Sequence, residues 1–353
     1  MISINNKQDC CGCTACAERC PQRCICMRED EEGFLYPIVD VEKCIGCNIC
    51  EKVCPIINRG EINSTFRIYA TANPDEETRK QSSSGGIFTL IAESVINTGG
   101  VVFGAKFDEN WEVCHSFTET KEGLDDFRGS KYVQGRMEDN YKEVERFLKG
   151  GRKVLFSGTP CQISGLKHFL RKEYENLLTV DFICHGVPSE QFFNDYIHYT
   201  QKKIGGEISE FKFRDKSSGW GYNLTAKYIQ VDGSTEYYRT ASSDSSYFDM
   251  FINSIALREN CYHCNFASTK RISDITLGDY YGLGKETPFD FSHKKVSCLL
   301  VNTSRGKDLL GKLIESNMIK AIERPREEPI NGNRMLRPVS YTHLRAHETG
   351  RNL

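Results

Sequence analysis

The chain carries one motif twice, Cys10-x2-Cys13-x2-Cys16-x3-Cys20-Pro21 and Cys44-x2-Cys47-x2-Cys50-x3-Cys54-Pro55. Thiolates are soft ligands, and three of them at this spacing let a short loop wrap one iron–sulfur cube. Two runs predict two sites and a small lobe folded around them. Zinc is the alternative. Zinc modules usually set two close ligand pairs far apart, whereas here four cysteines fall within eleven residues, a proline follows, and the pattern repeats. The spacing favours iron–sulfur chemistry, so the rest of the chain is read as giving electrons to this unit or taking them from it.

The spacing resembles that of bacterial two-cluster ferredoxins, in which the fourth cysteine of each run ligates the other cluster. Carried across, the resemblance implies one [4Fe-4S] cluster on Cys10, Cys13, Cys16 and Cys54 and a second on Cys44, Cys47, Cys50 and Cys20. Between the runs, Gly33 to Asp40 reads as a short hairpin strand. Cys11, Cys24 and Cys26 fall outside the spacing and are expected to be spare or buried thiols.

A length of 353 residues allows two or three domains and a sizeable core. The net charge of −2, from 46 basic and 48 acidic residues, leaves no electrostatic footprint for nucleic acid or an anionic membrane. Seventeen cysteines behind a polar stretch, Met1 to Asp9, fit thiols kept for metal in a reducing cytoplasm better than a disulfide framework. No apolar run approaches the ~18 residues of a spanning helix. The final stretch, Ser340 to Leu353, resembles a translated sequencing adapter. Residues 338–353 are therefore expected to be a non-native tail, with the natural C-terminus missing, and the His343 and His347 pair is set aside.

After the lobe, Asn58 to Thr65 reads as a linker, Phe66 to Ala72 as a strand and Pro74 to Gln81 as an exposed loop. Ser82-Ser83-Ser84-Gly85-Gly86 opens a helix with Ile87, Leu90, Ile91 and Val95 on one face. Exposed N–H groups at such a start suit a phosphate, and a flavin dinucleotide carries two; ordinary serine capping is the competing reading. A strand over Val101 to Phe107 follows. The run from Arg128 to Gln134 then sets two cations, Arg128 and Lys131, around Gly129-Ser130, as an anion clamp or a solvated loop. A helix ending at Gly150-Gly151 presents Tyr141, Val144, Phe147 and Leu148 on one face.

Lys153 to Ser157 reads as a buried strand, Gly158-Thr159-Pro160-Cys161 as a tight turn, Gln162 to Arg171 as a helix and Leu177 to Ile183 as a second strand, ending in Cys184-His185-Gly186. This is a βαβ unit. Its parallel strands finish on one edge, so Cys161 and Cys184 are expected to meet there. Cys261-x2-Cys264, in a loop after an aromatic helix with Tyr247, Phe248 and Phe251, adds two thiols at chelating spacing. Four thiolates from three segments would complete a third cluster site. Simple burial and a redox thiol pair are the alternatives for Cys161 and Cys184, but a thiol pair does not account for Cys261 and Cys264; zinc would account for all four cysteines but not for their company with two ferredoxin clusters. A Cys184–His185 dyad is disfavoured because neighbours leaving a strand point to opposite faces. Cys114 and Cys298 sit in strand-like runs and are expected in the core.

Ser82 to Gly86, Gly129 to Gln134, Gly158-Thr159-Pro160-Cys161-Gln162, Cys184-His185-Gly186-Val187-Pro188-Ser189 and Asp274 to Asp279 together resemble the coenzyme F420 hydrogenase/dehydrogenase beta-subunit family, with a two-cluster ferredoxin fused in front. The resemblance covers nearly the whole chain. It implies FAD placed between iron–sulfur clusters and a substrate, with flavin-site motifs at Ser83, Ser84, Gly85, Gly86, Ser130 and Lys131. It also implies a [4Fe-4S] cluster on Cys161, Cys184, Cys261 and Cys264. At Tyr280-Tyr281-Gly282 the sequence departs from the family, which more often has Trp before the glycine, a position expected to shape the substrate side.

The fold class expected is mixed α/β or α+β: a ferredoxin domain over 1–60, a flavin-side region over 66–150 and a C-terminal domain with the third cluster over 151–330. The activity expected is electron relay, in which clusters exchange single electrons with a partner protein or ferredoxin and FAD gathers two for an organic acceptor, a deazaflavin coenzyme or another conjugated molecule. A non-catalytic electron-transfer subunit that docks to a partner enzyme is the competing reading.

Overall fold

The computed structural model describes residues 1–60, 62–217, 219, 221–285, 288 and 296–336; the adapter-like tail lies outside the described residues. The apolar run Val154-Leu155-Phe156 is buried in an interior strand, Val154–Gly158, of an eight-stranded sheet. Across that sheet the order is Lys320–Arg324, Arg67–Ala72, Ser297–Val301, Ile275–Asp279, Leu177–Phe182, Val154–Gly158, Val101–Phe107 and Val113–Thr118. The strands from Ile275–Asp279 to Val101–Phe107 pair in parallel and those at both flanks antiparallel, so the fold is mixed α/β. The sheet takes strands from both sides of residue 150.

The expected βαβ unit is present, with Val154 paired to Leu177 and Gly158 to Asp181. Its helix, Pro160–Leu170, starts at Pro160, slightly earlier than its apolar pattern suggests. Thr159 fixes that start: its Oγ1 accepts from the Gln162 N–H, Gln162 Oε1 accepts from the Thr159 N–H, and Pro160 supplies a preset φ in the first turn.

Alternation along the strands divides the core in two. Val101, Phe103, Val154 and Phe156 meet the helices Asn140–Lys149 and Pro160–Leu170, while Val102 and Leu155 meet Ile87–Ile96 and Ser304–Glu315. A separate antiparallel sheet of Gly206–Lys212, Asn223–Gln230 and Thr235–Ala241 packs its aromatic side against the helices Glu190–Ile204 and Ser246–Ile252.

Two local expectations are corrected. Pro74 to Gln81 is not simply a loop: Glu76–Gln81 is helical, because Asp75 accepts from the Thr78 N–H and the charges run from Glu76 and Glu77 to Arg79 and Lys80, complementing the helix dipole. The linker after the lobe contains a two-residue strand, Asn63–Ser64, paired with Lys270–Arg271.

The cysteine-rich lobe does not sit apart. Its hairpin pairs Ile25–Glu29 with Leu35–Val39, while Cys11, Cys13, Ala15 and Val53 join the core beneath the main sheet. Gly165 lets helix Pro160–Leu170 come that close, since a Cβ there would lie 3.1 Å from Cys13 Sγ and 2.8 Å from Tyr141 Oη. Glu18 reaches across to cap Asn140–Lys149, accepting from the N–H groups of Tyr141 at 3.1 Å and Lys142 at 3.4 Å, and that helix has no other side-chain cap bond. Glu18→Ala should therefore leave the N–H groups of Tyr141 and Lys142 without their acceptor and lower stability by about 1–2 kcal/mol in denaturant unfolding, with Glu18→Gln keeping most of it. Equal losses in both variants would show that the cap does not matter.

Candidate redox sites

The lobe's thiols form two groups. Cys10, Cys13, Cys16 and Cys54 lie within electrostatic reach of one another, and burial drives the Cys16 thiol up to about 12. Cys20, Cys44, Cys47 and Cys50 line a small cavity of their own. Cys54 does not line it. Cys20 thus shares a cavity with the first three cysteines of the second run, while Cys50 also lies within electrostatic reach of Cys16 and Cys54. Cys24 joins the second group, its Sγ lying 3.4 Å from Cys20 Sγ. The two groups differ in exposure: Cys13, Cys16 and Cys54 are buried, whereas Cys47 is exposed beside Ile45, which is 63 % exposed.

A third group lies at the carboxyl ends of the parallel strands. Cys161 in the first turn of Pro160–Leu170, Cys184 just after Leu177–Phe182, and Cys261 and Cys264 around the helical turn Glu259–Tyr262 line one cavity of about 50 Å³. Gly186, at φ +128°, lets the loop after Cys184 pass Leu257 and Cys261; a Cβ there would come within 2.6 Å of Leu257. Burial raises the pKa of Cys184, and raises Cys261 to about 12 and Cys264 to about 11. Such thiols stay protonated, and make poor nucleophiles, unless a cation displaces their protons. Around these voids the sulfurs are spread out: among the described residues no three His, Cys, Asp or Glu side chains close to the spacing of a single ion. His185 is not paired with Cys184; its Nε2 lies 2.8 Å from the Phe251 carbonyl and 3.2 Å from Ser254 Oγ.

One cavity-lining thiol has no signal in the sequence. Cys11, expected to be spare or buried, is buried, lines the same cavity and lies within electrostatic reach of both Cys13 and Cys161. Contact with Cys11 is the main cause of the raised Cys161 pKa, followed by burial, with Arg258 acting in the opposite direction. Cys298 is fully buried as expected, and Cys114 partly so.

The flavin-motif residues also gather, although 47 positions separate Ser83 from Ser130. Their hydroxyls are 2.7 Å apart. The serines do not cap the following helix. Gly86, left-handed at φ 76°, is the N-cap of Ile87–Ile96 and no side chain bonds there. Ser82 and Ser84 donate instead to the carbonyls of Thr78 and Val296. Gly85 is required by close approach: its N–H donates to Ser297 Oγ, and a Cβ would lie 2.7 Å from the Thr71 carbonyl.

Cations surround this turn. Lys131 Nζ donates to the carbonyls of Asp126 at 2.6 Å and Arg128 at 3.0 Å, and withdrawal from water lowers its pKa to about 7. Arg128 donates to Gln81. Lys216 donates to the carbonyls of Arg79, Ser82 and Ser84, and burial brings its pKa to about 7 as well. Beside it, Arg214 pairs with Asp279 at 2.7 Å and lies over the Tyr222 ring, while Tyr222 bonds both Asp279 and Tyr281. Tyr281 stands at the position where the family more often has Trp.

A family model for the C-terminal part of the coenzyme F420 hydrogenase/dehydrogenase beta subunit matches residues 151–327. The chain belongs to the coenzyme F420 hydrogenase/dehydrogenase beta-subunit family. A second model, a 4Fe-4S binding domain, matches residues 37–56, which hold the second cysteine run. No curated protein matches the chain. Among solved structures, the chain is similar to one from the xenon-derivatised F420-reducing [NiFe] hydrogenase complex of Methanosarcina barkeri. The identity is 16 % over 82 % of this chain and 92 % of that one, with a TM-score of 0.52, a likeness of fold.

As a beta-subunit family member with a 4Fe-4S domain, the protein has an iron–sulfur electron-transfer function. No helix among the described residues is long and apolar enough to cross a membrane. Sequence reasoning missed Cys11, Lys216, Arg214, Tyr222 and Asp279. Asp279 ends a motif already noted, but nothing local in the sequence marks the others. The grouping of Cys20 with the second run is testable: Cys20→Ala should disturb the cluster bound by Cys44, Cys47 and Cys50 and spare the one bound by Cys10, Cys13 and Cys16, read by electron paramagnetic resonance. The reverse pattern would mean that each run closes its own site.

Proposed function

We propose that this protein is an iron–sulfur flavoprotein oxidoreductase that relays electrons from a redox partner protein through three [4Fe-4S] sites to FAD, and on to an organic acceptor such as a deazaflavin coenzyme or another conjugated molecule. The observation that carries the reading is Cys11, which packs with Cys13 in the shared core and lines the cavity of Cys161, Cys184, Cys261 and Cys264, so that the lobe and the third group adjoin. The donor sets fit the cofactor, since each is made of four soft thiols, and those of the second and third groups line a cavity of their own.

When bound, the clusters supply one-electron storage and the flavin pairs two electrons for the acceptor. The protein's own residues provide the rest. The 1–60 lobe presents Cys47 and Ile45 where a donor protein can approach, and its buried half excludes water from the first group. Ser83 and Ser130 hold two loops together, and Gly86 leaves the N–H groups of Ile87–Ile96 free of a side-chain cap, a place suited to a diphosphate. Lys216, bonded to the Ser82 and Ser84 carbonyls, and Lys131, next to Ser130, supply charge. Tyr222, Asp279 and Tyr281 form a hydrogen-bonded polar cluster beside Arg214, suited to orienting an acceptor. The similar solved structure comes from a complex that reduces F420. Such a complex supports both a partner and a deazaflavin acceptor here. The thiol-rich composition suits the cytoplasm.

The relay is tested by rapid-mixing reduction of bound FAD by a reduced ferredoxin. Wild type should bleach the flavin, while Cys264→Ala, loaded with FAD, should do so at least tenfold more slowly; equal rates would remove the third group from the path. The flavin site has its own test. Lys131 with a pKa of about 7 is charged below that pH and neutral above it, and a bound diphosphate favours the charged form, so FAD affinity should be level below pH 7 and fall as pH rises past it. Lys131→Met should weaken binding roughly 10- to 150-fold on the acid side, the value of a charge-assisted contact. A pH-independent affinity unchanged by the substitution would exclude Lys131.

A further inference from the structure

Arg258 is fully buried, and among the described residues no carboxylate lies within ion-pair distance of it. Its guanidinium donates to the Cys10 carbonyl at 2.8 Å, to the Leu35 carbonyl at 2.9 Å and to Gln134 Oε1 at 3.1 Å. The remaining contact is Nη2 to Cys10 Sγ at 3.5 Å. The rings of Tyr36 and Phe34 lie against it, 4.2 Å and 5.5 Å from centroid to Cζ. Gly12 makes room, since a Cβ there would sit 2.9 Å from Arg258 Nη1. The main chain of the same residue is tied to the third group: its N–H donates to the Val187 carbonyl, three residues past Cys184, and it precedes the turn bearing Cys261.

A buried cation surrounded only by neutral groups is costly, and it persists when a negative charge lies within reach. On the reading that the thiols hold clusters, that charge is present, because a cube held by four thiolates is anionic. Reduction adds one more negative charge. At the second group, where Cys47 is exposed, water stabilises that charge; at the first group, where Cys13, Cys16 and Cys54 are buried, it is less stabilised, and the inner cluster would be the harder one to reduce.

We propose that Arg258 is the fixed charge that offsets this penalty, raising the reduction potential of the cluster on Cys10, Cys13, Cys16 and Cys54 so that an electron arriving at the exposed cluster is drawn inward. The proposal rests on the thiol assignment above. Arg258 is a potential-setting residue, and it acts through one sulfur contact and through its charge.

The test is a potentiometric titration of anaerobically prepared protein followed by electron paramagnetic resonance, with Cys47→Ala used to identify the outer cluster's signal. Arg258→Gln should lower the inner cluster's potential by at least 59 mV, a tenfold change in its one-electron equilibrium, and leave the outer cluster's in place. Arg258→Lys should restore part of the shift. Gln134→Glu keeps Arg258 but sets a carboxylate against it, so it should lower the same potential and decides the matter if Arg258→Gln fails to take up iron. Equal potentials in wild type, Arg258→Gln and Gln134→Glu, or a shift of the outer cluster as large as that of the inner one, would overturn the proposal; Cys161 and Cys261 also lie within reach of the Arg258 charge, so a shift of the third cluster is expected. Wild-type protein that takes up no iron at Cys10, Cys13, Cys16 and Cys54 would overturn the thiol reading, and the proposal with it.

Discussion

The close seating of the first cysteine loop on helix Pro160–Leu170 is the contact on which the arrangement depends. Gly165 permits it, Glu18 fastens it to the neighbouring helix, and Arg258 holds the loop from the opposite side. Without that seating the lobe would be a tethered electron carrier. With it, Cys13 lies against the core of the large sheet, and Cys11 reaches the cavity lined by Cys161. The lobe therefore contributes its apolar residues to a shared core, which resists the independent motion expected of a domain on a polar linker.

The site in the large domain follows from sheet topology. Parallel strands end on one edge, and the chain leaving Val154–Gly158 and Leu177–Phe182 delivers a cysteine from each within a few residues. Cys261 and Cys264 arrive from a separate segment whose position is fixed by the Arg258 N–H to Val187 bond. The serine turn lies at a different part of the same sheet, against the paired ends of Arg67–Ala72 and Ser297–Val301, where Gly85 approaches Thr71 and Ser297. One sheet thus carries both the thiol cavity and the cationic turn.

Much of this is legible in the sequence because the deciding signals are local. Cysteine spacing encodes loop ligation directly, and the alternation around Val154 and the Thr159-Pro160-Cys161-Gln162 turn announce a strand and a capped helix. Asp75 followed by Glu76 and Glu77 is an equally local helix signal, masked by the polar, charged character of the segment around it. Cys11 is illegible for a different reason: its neighbour Cys161 is 150 positions away, and only docking of the lobe joins them. Arg258, Arg214 and Lys216 are likewise ordinary charged residues in sequence, and their surroundings come from tertiary contacts. The serines do lead into a helix, but Gly86 holds the cap position because only a left-handed residue completes that turn.

The central claim is that three cluster sites and a flavin site share one chain. Iron and flavin analysis of anaerobically reconstituted wild-type protein, with electron paramagnetic resonance after reduction, tests it most directly. About twelve irons per chain, three distinguishable cubane signals and one equivalent of FAD are expected. About eight irons with the cavity thiols still reactive, or stoichiometric zinc in a colourless protein, would contradict it.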